Sequence, residues 1–328
     1  MRHLQAFNRR GIRAGLVIAL LLISRACASA ASAIWIDTDQ SIGAPYREVD
    51  DAFALVLAFH SPEVRIAGIS STYGNAGLKR TTAVARNLAV RFDASAGVSE
   101  NDVHAGAASP TSLGEETPAV AALTAALRKE QLTYVALGPL TNLATALRIH
   151  PELAARINRV IFVGGRTPDR PLAFGRNGRF SIHDANVVKD PAAVQLVLRS
   201  GIPLVLAAPE IAGGLLLTDN DAQQLAAANA EGRFLQRNSR VWLWFWTTIV
   251  RNSGGPLFDV LAMVAAIRPE IVATEHRYAS VTKGGELLAS RHRTRDATPV
   301  LFCRAVDARI HDFAMERLRQ SPAPKRAR

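Results

Sequence analysis

Asp37, Asp39, Asp50 and Asp51 crowd four carboxylates into one short stretch of the chain. The first two leave an apolar run, Ile34-Trp35-Ile36, and the last two open a helical pattern that begins at Val49. An Asp at a helix start caps free N–H groups and suits the helix dipole, so Asp50 or Asp51 alone would be unremarkable. Four such groups repel one another unless a cation lies between them. Hard cations such as Ca²⁺ take six to eight oxygen ligands, which clustered carboxylates, a backbone carbonyl and waters supply. The chemistry expected here is therefore metal-assisted, since a bound cation lowers the pKa of its water and makes a nucleophile near neutral pH.

The elements that must position these groups follow an alternating pattern. Strands are expected over Ile34–Ile36, Arg65–Ser71, Leu132–Leu137, Val160–Val163 and Ile202–Ala207. Helices are expected over Val49–Phe59, Leu78–Arg91 and Thr141–Ile157, and another opens at Asp190-Pro191, where proline suits the first turn. Thr218–Val250 reads as helical, Arg277–Val306 as strand-rich and Ala308–Leu318 as a closing helix. Near-continuous apolar strands alternating with helices imply an α/β fold, an open and mainly parallel sheet with helices on both faces. Ligands in such sheets bind at the carboxyl ends of strands. Asp37, Asp39, Asn75 and the Gly138 and Gly164-Gly165 turns all fall there. No internal repeat or linker interrupts the chain, so one domain is expected over residues 34–318.

Five motifs in order resemble the inosine-uridine nucleoside hydrolase family. They are Asp37-Thr-Asp39 with Val49-Asp-Asp-Ala-Phe-Ala-Leu, Ser71-Thr-Tyr-Gly-Asn75, Ala136-Leu-Gly-Pro-Leu-Thr-Asn-Leu-Ala, Val163-Gly-Gly with His183-Asp-Ala-Asn186, and Pro256-Leu-Phe-Asp259-Val-Leu-Ala. The resemblance spans about residues 34–268 and implies a Rossmann-like core and hydrolysis of ribonucleosides to base and ribose. It implies that Asp39, Asp50, Asp51, Asp259 and the Leu137 carbonyl hold Ca²⁺ and that Asp39 is the catalytic base. Asp50, Asn75, Asp184, Asn186 and Asp259 would bind the ribose, and a homo-oligomer is expected by the same resemblance.

The sequence departs from that family at three places. The segment between Asp39 and Asp50 is long and contains Gly43-Ala-Pro45, an inserted turn that can loop out without moving the flanking ligands. Asp184 stands where the family often has Glu. Phe258 stands where some members have a His that helps protonate the leaving base, and Phe cannot donate a proton. A further Asn of the family aligns only loosely with Asn177-Gly178. Trp242 and Trp246, i and i+4 on one helix face, could stack on the base and raise its proton affinity. Aromatic rings at helical spacing equally serve a core. Of the histidines, His104 follows a strand and could approach the site, His183 adjoins Asp184, and His60, His150 and His276 read as packing or surface positions.

Residues 1–33 read as a secretory signal peptide, with Arg2, Arg9, Arg10 and Arg13, an apolar run from Ala14 to Ser24 and small residues up to Ala33. The run is shorter than the roughly 20 residues that span a bilayer. A periplasmic or secreted location is expected, with no stable membrane insertion after cleavage. Cys27 leaves with the leader, so the mature chain keeps only Cys303, read as core, and has no intramolecular disulfide. The formal charge of +11 falls to +6 without the five leader arginines, and a basic tail over residues 319–328 adds further cations. No basic stripe interleaved with aromatics is present, so no nucleic-acid partner is expected. Two other readings remain: a calcium-dependent nucleoside- or ribose-binding protein without catalysis, and a haloacid-dehalogenase-type phosphatase built on Asp37-Thr-Asp39.

Overall fold

Residues 31–44 and 46–320 are described in a computed structural model. The leader, Pro45 and residues 321–328 lie outside the described residues, and with them the expected signal peptide and most of the basic tail. Among the described residues, no helix is long and apolar enough to cross a membrane.

Among the described residues, nine strands form one sheet: β1 (Ser32–Thr38), β2 (Val64–Ser71), β3 (Val103–Ala105), β4 (Leu132–Ala136), β5 (Ile157–Phe162), β6 (Leu204–Leu206), β7 (Thr274–Val281), β8 (Leu287–Ser290) and β9 (Thr298–Cys303). Their order is β8-β7-β9-β6-β5-β4-β1-β2-β3. The run from β9 to β3 is parallel throughout, while β7 and β8 pair antiparallel at one edge. Both faces are covered. Ile34 and Ile36 of β1 join one hydrophobic core with Val135, Ile161 and Val205; Trp35 joins the opposite core with Tyr134, Phe162 and Leu206. That division follows from the two-residue period of a strand, and burial on both sides is why the strands read as unbroken apolar runs. Each such Ile or Leu contributes about 1.5–3 kcal/mol by leaving water.

The principal helices are α1 (Asp50–Phe59), α2 (Leu78–Ala96), α3 (Pro118–Lys129), α4 (Thr141–Ile149), α5 (Pro191–Arg199), α6 (Asp219–Ala228), α7 (Ala230–Trp244), α8 (Phe258–Ile267) and α9 (Ala308–Arg319). Two of them are buried along their whole length, α1 and α8, and they pack on each other. Helices that are apolar all round belong inside a protein. The only acids they carry, Asp50, Asp51 and Asp259, sit in their first turns. Core packing of α1 on α8 thereby brings carboxylates from opposite halves of the sequence to one point.

Two expected helices are shorter than their apolar patterns suggest. The one expected over Thr141–Ile157 ends at Ile149, because Pro151 disfavours helical geometry at His150 and cannot supply the next N–H. A 3₁₀ turn follows, and β5 starts at Ile157. The stretch Thr218–Val250 is two helices and a terminal π-helical turn, Phe245–Ile249. Its break falls at Asn229, whose Oδ1 accepts the Gly232 N–H at 2.6 Å and starts α7 afresh. Asp190 caps α5 as expected, accepting from the Ala193 N–H at 2.9 Å.

Candidate active site

The end of β1 sends its two aspartates to different places. Asp37 is turned into the interior, where Oδ1 accepts from Ser70 Oγ at 2.6 Å and Asn142 Nδ2 at 2.9 Å. Burial pushes its pKa up to about 6. A nucleophilic aspartate must face substrate, so this orientation removes the phosphatase reading. Asp39 faces the loop after β2 instead. Its Oδ2 accepts the Asn75 N–H at 2.8 Å and its Oδ1 accepts from Asn75 Nδ2 at 3.0 Å. Two glycines allow that close fit: a Cβ on Gly74 would lie 1.7 Å from Asp39 Oδ2, and one on Gly138 would lie 3.2 Å from its Cβ.

The remaining acids interlock with Asp39. Asn75 Nδ2 also donates to Asp51 Oδ2 at 3.2 Å, while Asp51 Oδ1 accepts from Thr38 Oγ1 and from the Asp39 N–H. The Asp259 N–H donates to Asp50 Oδ2 at 3.2 Å, tying the start of α8 to the start of α1. Asp50, Asp51 and Asp259 each offer a carboxylate oxygen, and these oxygens lie within 4.8 Å of one another. All four acids are buried. Burial first, then repulsion from neighbouring carboxylates, holds Asp39, Asp50 and Asp259 well above the usual carboxylate range; burial also raises Asp51. Among the described residues, no Lys or Arg forms an ion pair with any of them. Buried anions without a partner are costly. An all-oxygen donor set with surplus negative charge fits a hard divalent cation.

A cavity of about 370 Å³ opens over this cluster, at the carboxyl ends of the parallel strands. Asp50, Asn75, Leu137, Asp184, Asn186 and Asp259 all line it, and Asp39 and Asp51 join it through Asn75. The size is right for a small molecule such as a nucleoside. The Leu137 carbonyl accepts from Asn186 Nδ2 at 2.7 Å, and the same Nδ2 reaches the Val163 carbonyl at 3.0 Å. Of the five expected ligands, Asp50, Asp51 and Asp259 form the tight group of side-chain oxygens, Asp39 joins Asp51 through its own N–H and through Asn75, and Leu137 lines the cavity with Asp50 and Asp259. Asp184 is engaged by backbone: Oδ2 accepts the Gly165 N–H at 2.6 Å and Oδ1 the Val187 N–H at 3.3 Å. Its burial pushes its pKa up to about 6.

The structure places the expected stacking residues elsewhere. Trp242 and Trp246 are buried in an aromatic cluster with Phe174, Phe180, Phe245 and Phe258, and neither lines the cavity. The i,i+4 spacing here serves the core. Phe258 does line the cavity, beside Asp259. Asn177 lies at a hairpin turn away from the cavity, with φ 63°. His104 stacks on Trp35 at 5.9 Å between ring centres and does not reach the cavity, whereas His183 lies on its lining.

Sequence reasoning passed over Tyr46, Arg47, Glu48 and Lys189, all of which line the cavity. The inserted loop supplies the first three, so it forms a wall of the cavity and does not loop away. Burial pushes Glu48 up to about 7, and its Oε2 accepts from Trp242 Nε1 at 2.7 Å. Glu48 is an acid two residues before Asp50, a signal the sequence did contain. Lys189 adjoins the helix cap Asp190 and carries no pattern of its own.

The family model for inosine-uridine preferring nucleoside hydrolase matches residues 34–311. The chain belongs to the inosine-uridine preferring nucleoside hydrolase family. Among curated relatives, the non-specific ribonucleoside hydrolase RihC of Salmonella enteritidis is 27% identical over 283 residues, covering 78% of this chain and 85% of that protein. The pyrimidine-specific ribonucleoside hydrolase RihA of Escherichia coli is 29% identical over 266 residues, covering 72% and 82%. A plant nucleoside hydrolase has a similar structure, with a TM-score of 0.73, 23% identity and coverage of 89% of this chain and 99% of that one. A purine-preferring ribonucleoside hydrolase from Gardnerella vaginalis gives 0.73, 24%, 88% and 98%. These structures share the nucleoside hydrolase α/β fold, and the family places this chain among N-ribosyl hydrolases, which are glycosidases.

Proposed function

We propose that this member cleaves the N-glycosidic bond of ribonucleosides with the help of a Ca²⁺ ion held by Asp39, Asp50, Asp51, Asp259 and the Leu137 carbonyl. The observation that carries the reading is the meeting of buried carboxylates, none of them in an ion pair among the described residues, beneath a nucleoside-sized cavity. When bound, the ion would offset their charge, hold ribose hydroxyls and lower the pKa of a water.

The chain's own groups do the rest. Asp39 takes the proton of the attacking water, and its two bonds from Asn75 fix the carboxylate for that transfer. The Asn75 and Asn186 amide nitrogens are committed to protein oxygens, which leaves their Oδ1 atoms to accept from ribose hydroxyls. Such contacts align the anomeric carbon with the water. The carboxylates around the sugar stabilise the positive charge that develops on it as the bond to the base breaks. Asp184 braces the Gly165 turn and the start of the one-turn helix Ala185–Val188, and presents its edge to the sugar end of the cavity. Phe258 supplies no proton to the departing base. That same feature favours a second reading, a calcium-dependent nucleoside- or ribose-binding protein.

Ribose release by purified protein from a panel of purine and pyrimidine ribonucleosides decides between them. Release from one or more members supports hydrolysis; binding of nucleosides with no release supports the binding protein. Export to the periplasm or beyond and assembly into a homo-oligomer belong to the same proposal. N-terminal sequencing of the protein from its producing cell tests the first, and light scattering tests the second.

A further inference from the structure

We infer that Tyr46, on the loop inserted between Asp39 and Asp50, is the surface on which the nucleobase stacks. The inference rests on the hydrolase reading, because it takes the cavity to hold a nucleoside. That ligand has two unlike ends, a polyhydroxyl sugar and a flat, largely apolar base. The cavity has two unlike regions as well. Asp50, Leu137 and Asp259 are buried at its floor, whereas Tyr46 and Arg47 are exposed at its rim. Hydroxyls belong with the floor oxygens, so the base must extend toward the rim.

An aromatic ring waits there. Tyr46 is 72% exposed, more than any other large hydrophobic side chain among the described residues. Among those residues the cavity lining holds one other large apolar ring, that of Phe258, besides the smaller, polar imidazole of His183. Phe258 is nearly buried and already meets Phe174 and Trp246 edge-on, at 5.6 and 6.5 Å between ring centres. It can close one side of a base slot but offers little free face. Tyr46 is free to close the other.

The loop is constructed to hold that ring out. Tyr46 has φ 57°, a left-handed conformation that residues with a Cβ adopt at a cost. Strain of this kind persists only where surrounding contacts enforce it, and it gathers at ligand sites. The contacts are present. Ser41 Oγ donates to the Glu48 carbonyl at 2.7 Å across the base of the loop, and Glu48 is anchored to α7 by Trp242. Gly43, at φ 81°, lies against Asn238 of the same helix. A freely exposed loop would relax the tyrosine backbone. This one is closed across its base by Ser41 and bonded to the helix behind it through Glu48.

The test compares the wild type with Tyr46→Ala and Tyr46→Phe on inosine and uridine, with free ribose as a competitive inhibitor. Stacking on a side chain is worth on the order of tenfold in affinity or more. KM is expected to rise about tenfold for inosine in Tyr46→Ala, and less for uridine, whose ring presents a smaller face. Tyr46→Phe keeps the wild-type KM, and the ribose inhibition constant stays the same in all three. An unchanged inosine KM in Tyr46→Ala overturns the inference, as does weaker ribose inhibition in parallel with it, which would mean a distorted floor. If the wild type binds inosine without cleaving it, the hydrolase reading fails alone, and the same comparison is made on calorimetric Kd values with the same decisive outcomes. If the wild type binds neither nucleoside, both fail.

Discussion

Removing divalent cations with a chelator and raising the pH from about 5 to about 8 perturbs the carboxylate cluster where it is most exposed to test. For a carboxylate whose pKa is raised by folding, the native state binds more protons than the unfolded chain, so stability falls as pH rises. Burial pushes Asp37 up to about 6 in the fold against 3.8 ordinarily, so its contribution falls from about pH 3.8 to about pH 6; the last unit of that window, ~1.4 kcal/mol, is lost above pH 5. Burial and repulsion from neighbouring carboxylates also hold Asp39, Asp50 and Asp259 well above the usual carboxylate range, so their contribution has the same sign. A cation that binds only the native state reverses this, by about 2.7 kcal/mol at a free concentration of 100 times Kd. At about 2–4 °C per kcal/mol for a domain of this size, calcium should raise Tm at pH 8 by about 5–10 °C. Differential scanning calorimetry of chelated and calcium-loaded protein at both pH values measures it. A chelated protein whose Tm climbs between these pH values, or one indifferent to calcium at the upper value, would refute the reasoning.

Three substitutions or treatments probe other parts of the account. Gly74→Ala sets a methyl where Asp39 Oδ2 now lies, and displacing the proposed base by about 1 Å should lower kcat by about 100-fold with the fold intact by circular dichroism; a kcat within threefold of wild type contradicts the close fit. Trp246→Ala empties the centre of the aromatic cluster and should cost about 3–5 kcal/mol in urea unfolding, with little change in KM at temperatures where the variant is folded. A KM effect without loss of stability would return Trp246 to the base. Cys303 is buried and its thiol is pushed up to about 12, so the native protein should resist thiol reagents until it unfolds; rapid labelling of folded protein would show the site to be open.

Much of this arrangement was legible in the sequence because two physical signals coincided. The apolar runs of β1, β4 and β5 announced a sheet buried on both faces, and the acids after β1 with the glycine turns after β4 and β5 announced the edge where the cavity lies. Asp50, Asp51 and Asp259 stand at the starts of helices that are otherwise wholly apolar, so each is conspicuous against its own background. What stayed hidden depended on three-dimensional neighbours. Trp242 and Trp246 have one spacing whether they face a ligand or a core, and only the packing of Trp246 against Phe174 and Phe258, with Trp242 against Trp246, assigns them to the core. The long segment after Asp39 resembled a spacer until its bond to Trp242 and its place on the lining turned it into a cavity wall. Lys189 reaches the cavity from the turn before α5, a position that no periodicity marks.

The most direct test of the central claim is calcium binding and inosine or uridine hydrolysis measured side by side on chelator-stripped wild type and on Asp51→Asn. The account predicts that calcium restores hydrolysis to the stripped wild type in proportion to the ion bound. It predicts that Asp51→Asn, folded by circular dichroism, binds calcium at least tenfold more weakly and stays inactive at concentrations that saturate the wild type. Full activity in stripped protein, or calcium-independent activity in the variant, would contradict it.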